Sequence, residues 1–355
     1  MKPMHVPVQG RYFSLAERCV MVPAPGRGES VASRISGEEG FAMNIEPGQP
    51  VTVPAAEDTV TRAGDPPVGW RLWWQAIRPR TLTMALAPVL AGTALGWAEG
   101  GQFDPRPFLA ALGGALMIQA GTNLHNDVAD ALRGGDQPSR QGPPRVTALG
   151  WATPAGVRFA ALTCFAFACL FGLYLIALGG LPILLLGLAS LAGGWCYSGG
   201  PRPIAYSPYG EVFVIGFFGL GAVAGSAYLQ TGTLSASALG VGLAIGAVAA
   251  AVLMANNYRD MEADRLIGRR TLAIQAGQRN SQILYAVMVL APFVLLAGPT
   301  GPAGGWLTLA ALPMALGLIR SFVTETQGPA FNQILGATAR LQMVVALLLT
   351  VGVVL

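Results

Sequence analysis

From Trp70 onward the chain is a succession of nine apolar runs, near 81–99, 107–125, 155–178, 180–197, 211–230, 235–256, 281–298, 303–320 and 337–355. About 20 apolar residues are what a helix needs to cross the hydrocarbon of a bilayer. Runs of this length, repeated so often, point to an all-α membrane protein with about nine transmembrane helices. The charge content agrees: 11% of residues are charged, against about 25% in soluble domains. Gly and Ala are frequent within the runs, as in GFFGLGAVAG and LGVGLAIGAVAA, which suits close helix approach in lipid. Little more than Gly179-Gly180 joins the third and fourth runs, so they are expected to form a tight antiparallel pair.

Residues 1–69 differ from the rest. They are polar, rich in Gly, Pro, Ser and Glu, and lack the basic start and apolar core of a signal peptide. The expectation is a disordered cytoplasmic extension ahead of a transmembrane domain at 70–355. The four cysteines (Cys19, Cys164, Cys169, Cys196) show no CxxC spacing, and the last three fall in apolar runs. They read as buried structural thiols, not as a disulfide framework or zinc site.

Arginine placement gives an orientation. The connections after the second, fourth and sixth runs contain Arg133, Arg140, Arg145, Arg202, Arg259, Arg265, Arg269, Arg270 and Arg279, and Arg320 borders the one after the eighth. The alternate connections contain only Arg106. By the positive-inside rule the arginine-rich side is cytoplasmic, with the N-terminus inside, as for a multi-pass protein of the cell's inner membrane. The net charge of +4 reflects this asymmetry and gives no reason to invoke nucleic acid.

The acids are more telling. Eight follow Pro105, and six of them fall in two stretches, NLHNDVADALRGGDQPSRQGPPR at 123–145 and NNYRDMEADRLIGRR at 256–270. A carboxylate at the centre of a spanning helix costs roughly 2.5–3.5 kcal/mol on insertion scales, so such residues are rarely idle. Asn123, Asp127 and Asp130 follow i, i+4, i+7 spacing, and Asn126 is one turn before Asp130; Asn256, Asp260 and Asp264 follow i, i+4, i+8. If both helix ends face one cavity, two carboxylate stripes oppose each other and require something positive between them. Mg²⁺ typically binds one or two carboxylates plus waters and substrate phosphates, and guanidinium groups grip phosphate oxygens bidentately. The constellation therefore reads as a Mg²⁺–diphosphate site. Interfacial anchoring explains Glu99, Asp104 and Arg106, but not two clustered stripes that each carry asparagine. An ion or lipid transporter is the rival class, since acidic pairs also mark ion pathways; no run carries a matching stripe at its opposite end. His125 reads as a packing residue.

These motifs also resemble a known family. NxxNDxxDxxxGxD followed by PxRxGPxR, and NNxRDxxxDxxxGxRTLA, are similar to the two signature regions of the UbiA superfamily of membrane prenyltransferases. The MenA branch, the 1,4-dihydroxy-2-naphthoate polyprenyltransferases, is the closer likeness. AIRPRTL at 76–82 and YSGGPRPIAYSPYGE at 197–211 resemble its first-helix opening and one of its cytoplasmic connections. The resemblance implies a UbiA-type helical bundle with a central cavity open to the cytoplasm. There Asp127, Asp130, Asp260 and Asp264 would hold Mg²⁺, with Asn123, Asn126, Asn256 and Asp136 beside them. Arg140, Arg145, Arg259 and Arg269 would engage the diphosphate or pair with the carboxylates, and Tyr197 and Arg202 would join from the 197–211 connection. The implied reaction moves a polyprenyl chain from an allylic polyprenyl diphosphate to an aromatic acceptor, with 1,4-dihydroxy-2-naphthoate ahead of 4-hydroxybenzoate. Departures are Val128, where relatives carry an aromatic residue, and Arg80 and Arg269, where lysine is frequent. The 197–211 connection also lacks the lysine that some relatives place after its tyrosine.

Overall fold

Side-chain caps mark the starts of three helices, two of them opening on proline. In the computed structural model, which describes residues 67–134, 142–298, 301–326 and 328–355, Asp104 caps a helix opening at Pro105, accepting from the Arg106 amide at 2.9 Å. Thr153 does the same for a helix opening at Pro154, and Ser235 accepts from the Ala238 amide. Such caps satisfy backbone donors that a first turn leaves unpaired.

The described elements are helical throughout: α1 (Trp70–Ala76), α2 (Pro79–Gly100), α3 (Pro105–Leu132), α4 (Pro154–Ser198), α5 (Gly210–Val214), a π-helical stretch Ile215–Gly221, α6 (Ala222–Thr231), α7 (Ala236–Arg259), α8 (Met261–Leu266), α9 (Leu272–Ala297), a 3-10 stretch Gly305–Ala311, α10 (Leu312–Thr324) and α11 (Phe331–Val354). Among the described residues seven helical stretches are long and apolar enough to cross a membrane, as expected of a multi-pass membrane protein. One of them is α4, whose 45 residues are two limbs. Gly180 breaks it with φ 65° and ψ −147°, a backbone that only glycine adopts readily. Phe165 and Trp195 lie on opposite limbs with ring centroids 6.5 Å apart; thirty residues of straight helix would separate them by about 45 Å. The expected antiparallel pair is present. By contrast α3 falls short of the apolar criterion, because polar residues from Gln119 onward dilute its second half.

At the centre lies α7, with 78% of its most apolar window buried against 11% for α4. It packs on α9, α2, α11 and the π-helical stretch. Small residues make this possible: a Cβ on Gly219 would lie 2.4 Å from the Gly242 carbonyl oxygen and 2.8 Å from Gly246 Cα. α4 is peripheral and pairs with α3. Its cysteines correct one expectation. Cys164 is half-buried and Cys169 and Cys196 are exposed, all three as free thiols, because α4 turns much of its apolar surface outward. Cys19 and nearly all of 1–69 lie outside the described residues.

Candidate active site

The last three turns of α3 carry the first acidic motif, and its residues point in different directions. Asn123 is buried; its Nδ2 donates to the Ile77 carbonyl at 2.8 Å and to Thr81 Oγ1 at 2.9 Å. This ties α3 to the α1–α2 turn, where Arg78 holds a left-handed backbone with φ 55°, uncommon for any residue but glycine. His125 stacks on Trp195 with centroids 4.1 Å apart, as a packing residue does. Asp130 is buried, and its Oδ2 accepts from Arg145 Nη2 at 2.6 Å and Arg269 Nη2 at 2.7 Å. Asp127 turns elsewhere: its two oxygens accept from the Val146 and Thr147 amides at 3.1 and 2.9 Å.

The second motif begins at the end of α7. The expected stripe on a single helix is split, since Asp260 (φ −95°, ψ 9°) stands between α7 and α8. The Asp264 amide still donates to the Asp260 carbonyl at 2.8 Å, so the two carboxylates stay one turn apart. Arg259 grips Asp260 through Nε at 2.8 Å and Nη2 at 2.5 Å, and also reaches Asn256 and Asn332. Asp264 Oδ1 accepts from Arg269 Nη1 at 3.0 Å, whereas its Oδ2 is buried with no hydrogen-bond partner. Burial pushes the Asp264 carboxyl up to about 6, even against the pull of Arg269. Burial also works against the Arg269 charge, yet Asp130 and Asp264 hold that group above the ordinary arginine range. Its guanidinium sits 4.6 Å over the Tyr206 ring, a cation–π placement.

These elements enclose a polar cavity of about 70 Å³, lined by Arg78, Asn126, Arg145, Tyr197, Asn256, Asp260, Asp264 and Arg269 among others. It shares Arg78, Asn126, Tyr197, Leu253 and Asn256 with a largely apolar cavity of about 490 Å³ bounded by α2, α3, α4 and the 210–231 rod. Asn123 lines the larger one.

The expected residues therefore divide. Asp260 and Asp264 line the polar cavity, whereas Asp127 and Asp130 line neither cavity. Asp130 is screened by the two arginines it binds, and Asp127 is occupied by backbone amides. Of the arginines, Arg145 and Arg269 line the cavity, while Arg259, its side chain 1% exposed, is spent on neighbouring side chains. Arg202 is exposed and lines neither cavity; it follows Gly200 (φ 75°) and Pro201. Arg140 and Asp136 lie outside the described residues. Arg78 was the residue missed; its only sequence signal was membership of AIRPRTL.

The donor set suits a hard divalent cation. Asn126, Asn256, Asp260 and Asp264 line the cavity, and Asp264 Oδ2 lacks a donor. Among the described residues no three acidic, His or Cys side chains converge as a cage. Remaining positions would fall to water and phosphate oxygens, the usual manner for Mg²⁺.

A profile described as the UbiA prenyltransferase family matches residues 85–330. The chain belongs to the UbiA prenyltransferase family. Among relatives of this UbiA protein, the 1,4-dihydroxy-2-naphthoate octaprenyltransferase of Escherichia coli (strain K12) is 34% identical, across 80% of this chain and 95% of its own length. The enzyme of the same name from Mycobacterium tuberculosis (strain ATCC 25618 / H37Rv) is 38% identical, across 69% and 83%. In fold, a UbiA homolog from Archaeoglobus fulgidus, solved bound to DMAPP and Mg²⁺, superposes with a TM-score of 0.58 at 15% identity, covering 79% of this chain and 98% of that one. The UbiA chain is thus a membrane prenyltransferase with the family's all-helical fold.

Proposed function

We propose that this protein transfers a polyprenyl chain from an allylic polyprenyl diphosphate to 1,4-dihydroxy-2-naphthoate. The supporting observation is the joined pair of cavities, a polar one carrying two carboxylates and three arginines that shares a wall with a larger apolar one. Such a pair fits a substrate with a diphosphate head and an isoprenoid tail. The 34–38% identity to naphthoate octaprenyltransferases supports this acceptor.

Arg78, Arg145 and Arg269 would hold the diphosphate oxygens, and Asn126, Asn256, Asp260 and Asp264 would hold Mg²⁺. When bound, that ion neutralises negative charge gathering on a departing diphosphate. The allylic C–O bond breaks with its electron pair leaving on the diphosphate, and the electron-rich ring forms a new C–C bond at the carbon bearing its carboxylate. The C–CO₂ bond then breaks, and its pair restores aromaticity. Apolar walls from α3, α4 and the 210–231 rod keep water from the allylic cation.

Purified protein is expected to release diphosphate and CO₂ in equal amounts when given polyprenyl diphosphate, 1,4-dihydroxy-2-naphthoate and Mg²⁺. Diphosphate release with 4-hydroxybenzoate but not with the naphthoate would overturn the acceptor assignment. The same reading places nine spans in the inner membrane, with the N-terminus and the polar cavity on the cytoplasmic side. Cysteines introduced at exposed Arg265 and Phe103 are expected to label from opposite faces, Arg265 from the cytoplasm; labelling from one face would sink the topology. A chain begun near Gly64 is expected to keep full turnover, and loss of activity in an inserted truncation would show that 1–69 contributes to the site.

A further inference from the structure

We infer that Asp127 is a positioning residue for Arg145 and not a ligand of the metal; the inference rests on the diphosphate-binding reading of Arg145 given above. Asp127 is 1% exposed. Both its oxygens are taken by consecutive backbone amides, Val146 at 3.1 Å and Thr147 at 2.9 Å. Those amides open a single helical turn, closed by the Leu149 amide donating to the Arg145 carbonyl at 3.0 Å. The first amides of a turn have no partner within it, and a carboxylate supplies the stronger, charge-assisted kind. Asp127 thus caps this turn from a helix 19 residues earlier.

The turn is held on its other side as well. Val146 is fully buried with Leu124, Val128, Val157 and Ala161. With its backbone fixed, Arg145 reaches back along α3, donating to the Asn126 carbonyl at 3.1 Å and pairing with Asp130 at 2.6 Å, and it lines the polar cavity. One helix therefore sets Arg145 at three points: Asn126 and Asp130 hold the guanidinium, and Asp127 holds the backbone.

The test uses the full chain in lipid nanodiscs and the variants Asp127→Asn, Val146→Pro and Asp264→Asn. Val146→Pro deletes one amide donor at the first position of the turn, where proline is tolerated, and leaves every carboxylate in place. Three quantities are read: amide exchange of the 145–151 segment, affinity for Mn²⁺ alone as the Mg²⁺ probe, and KM and kcat for polyprenyl diphosphate. Losing one charge-assisted bond is expected to speed exchange roughly tenfold in Asp127→Asn and Val146→Pro, and to raise KM by about as much while kcat holds within about threefold. Mn²⁺ affinity is expected to stay within about twofold in both, and to fall at least about tenfold in Asp264→Asn. A tenfold loss of Mn²⁺ affinity in Asp127→Asn, or unchanged exchange in that variant, overturns the inference. If Asp127→Asn does not fold, Val146→Pro decides alone: unchanged exchange and KM overturn it. A wild-type chain without prenyl transfer would count against the proposed function, while the exchange and Mn²⁺ measurements would still decide the role of Asp127.

Discussion

Asp264→Asn, and separately Asp260→Asn, are expected to lower prenyl transfer by at least about 10²–10³-fold while leaving an inserted, folded protein. An amide keeps the shape of the carboxylate but offers no net charge to a divalent cation. The two positions are not equivalent. Asp260 is already held by Arg259, so its replacement frees a buried guanidinium and carries some cost in stability. Asp264 has one oxygen without a donor and a carboxyl that burial pushes toward protonation, so a cation binding there competes with a proton. Its replacement relieves that burden but takes one carboxylate from Arg269, which keeps Asp130, so the melting temperature is expected to change little as activity falls. Turnover across a Mg²⁺ titration, set beside thermal melting, separates the two effects. Wild-type turnover in both variants without added Mg²⁺ would remove the basis of the metal-dependent chemistry.

Arg269→Gln has the largest expected effect on stability. Arg269 bridges Asp130 and Asp264, which come from the two separate motifs, and all three side chains are largely buried. Removing one partner of a buried ion pair typically costs about 3–5 kcal/mol, because the remaining charge is left uncompensated. Here two carboxylates lose a donor, although Asp130 keeps Arg145. Arg269→Lys should fall between, since a single ammonium lacks the planar fork that reaches both acids. Denaturant or thermal unfolding in detergent measures the loss. A glutamine variant that melts like wild type would mean that the bridge contributes nothing to the fold.

The bundle was legible because its signal is repetitive and local: apolar runs of spanning length, and the Gly179-Gly180 junction between two of them. The site was legible only to the level of the helix face. Asp127 and Asn126 are neighbours in sequence, yet a step of about 100° around the helix sends one to a backbone turn and the other to the cavity. From sequence Arg259 fits either a diphosphate or a carboxylate partner; Asp260 beside it and Asn332, 73 residues away, take up its guanidinium. Arg202 has the right charge and a suggestive motif, yet it is exposed and lines neither cavity. Arg78 could not be ranked from sequence, because its place at the junction of two cavities depends on how α1, α2 and α3 meet.

The order in which the chain emerges from the ribosome gives the Arg269 bridge a further meaning. Asp130 is made early, and its second arginine follows 139 residues later. Each nascent intermediate in between holds α3 with half of that acid's compensation missing. The acid also lies on α3, which among the described residues is the long helix too polar to qualify as a span by itself. Lasting residence of α3 in the bundle is therefore tied to translation of the last third of the chain. A product that stops short of Arg269 leaves a buried carboxylate near the end of α3 with one of its two arginines missing.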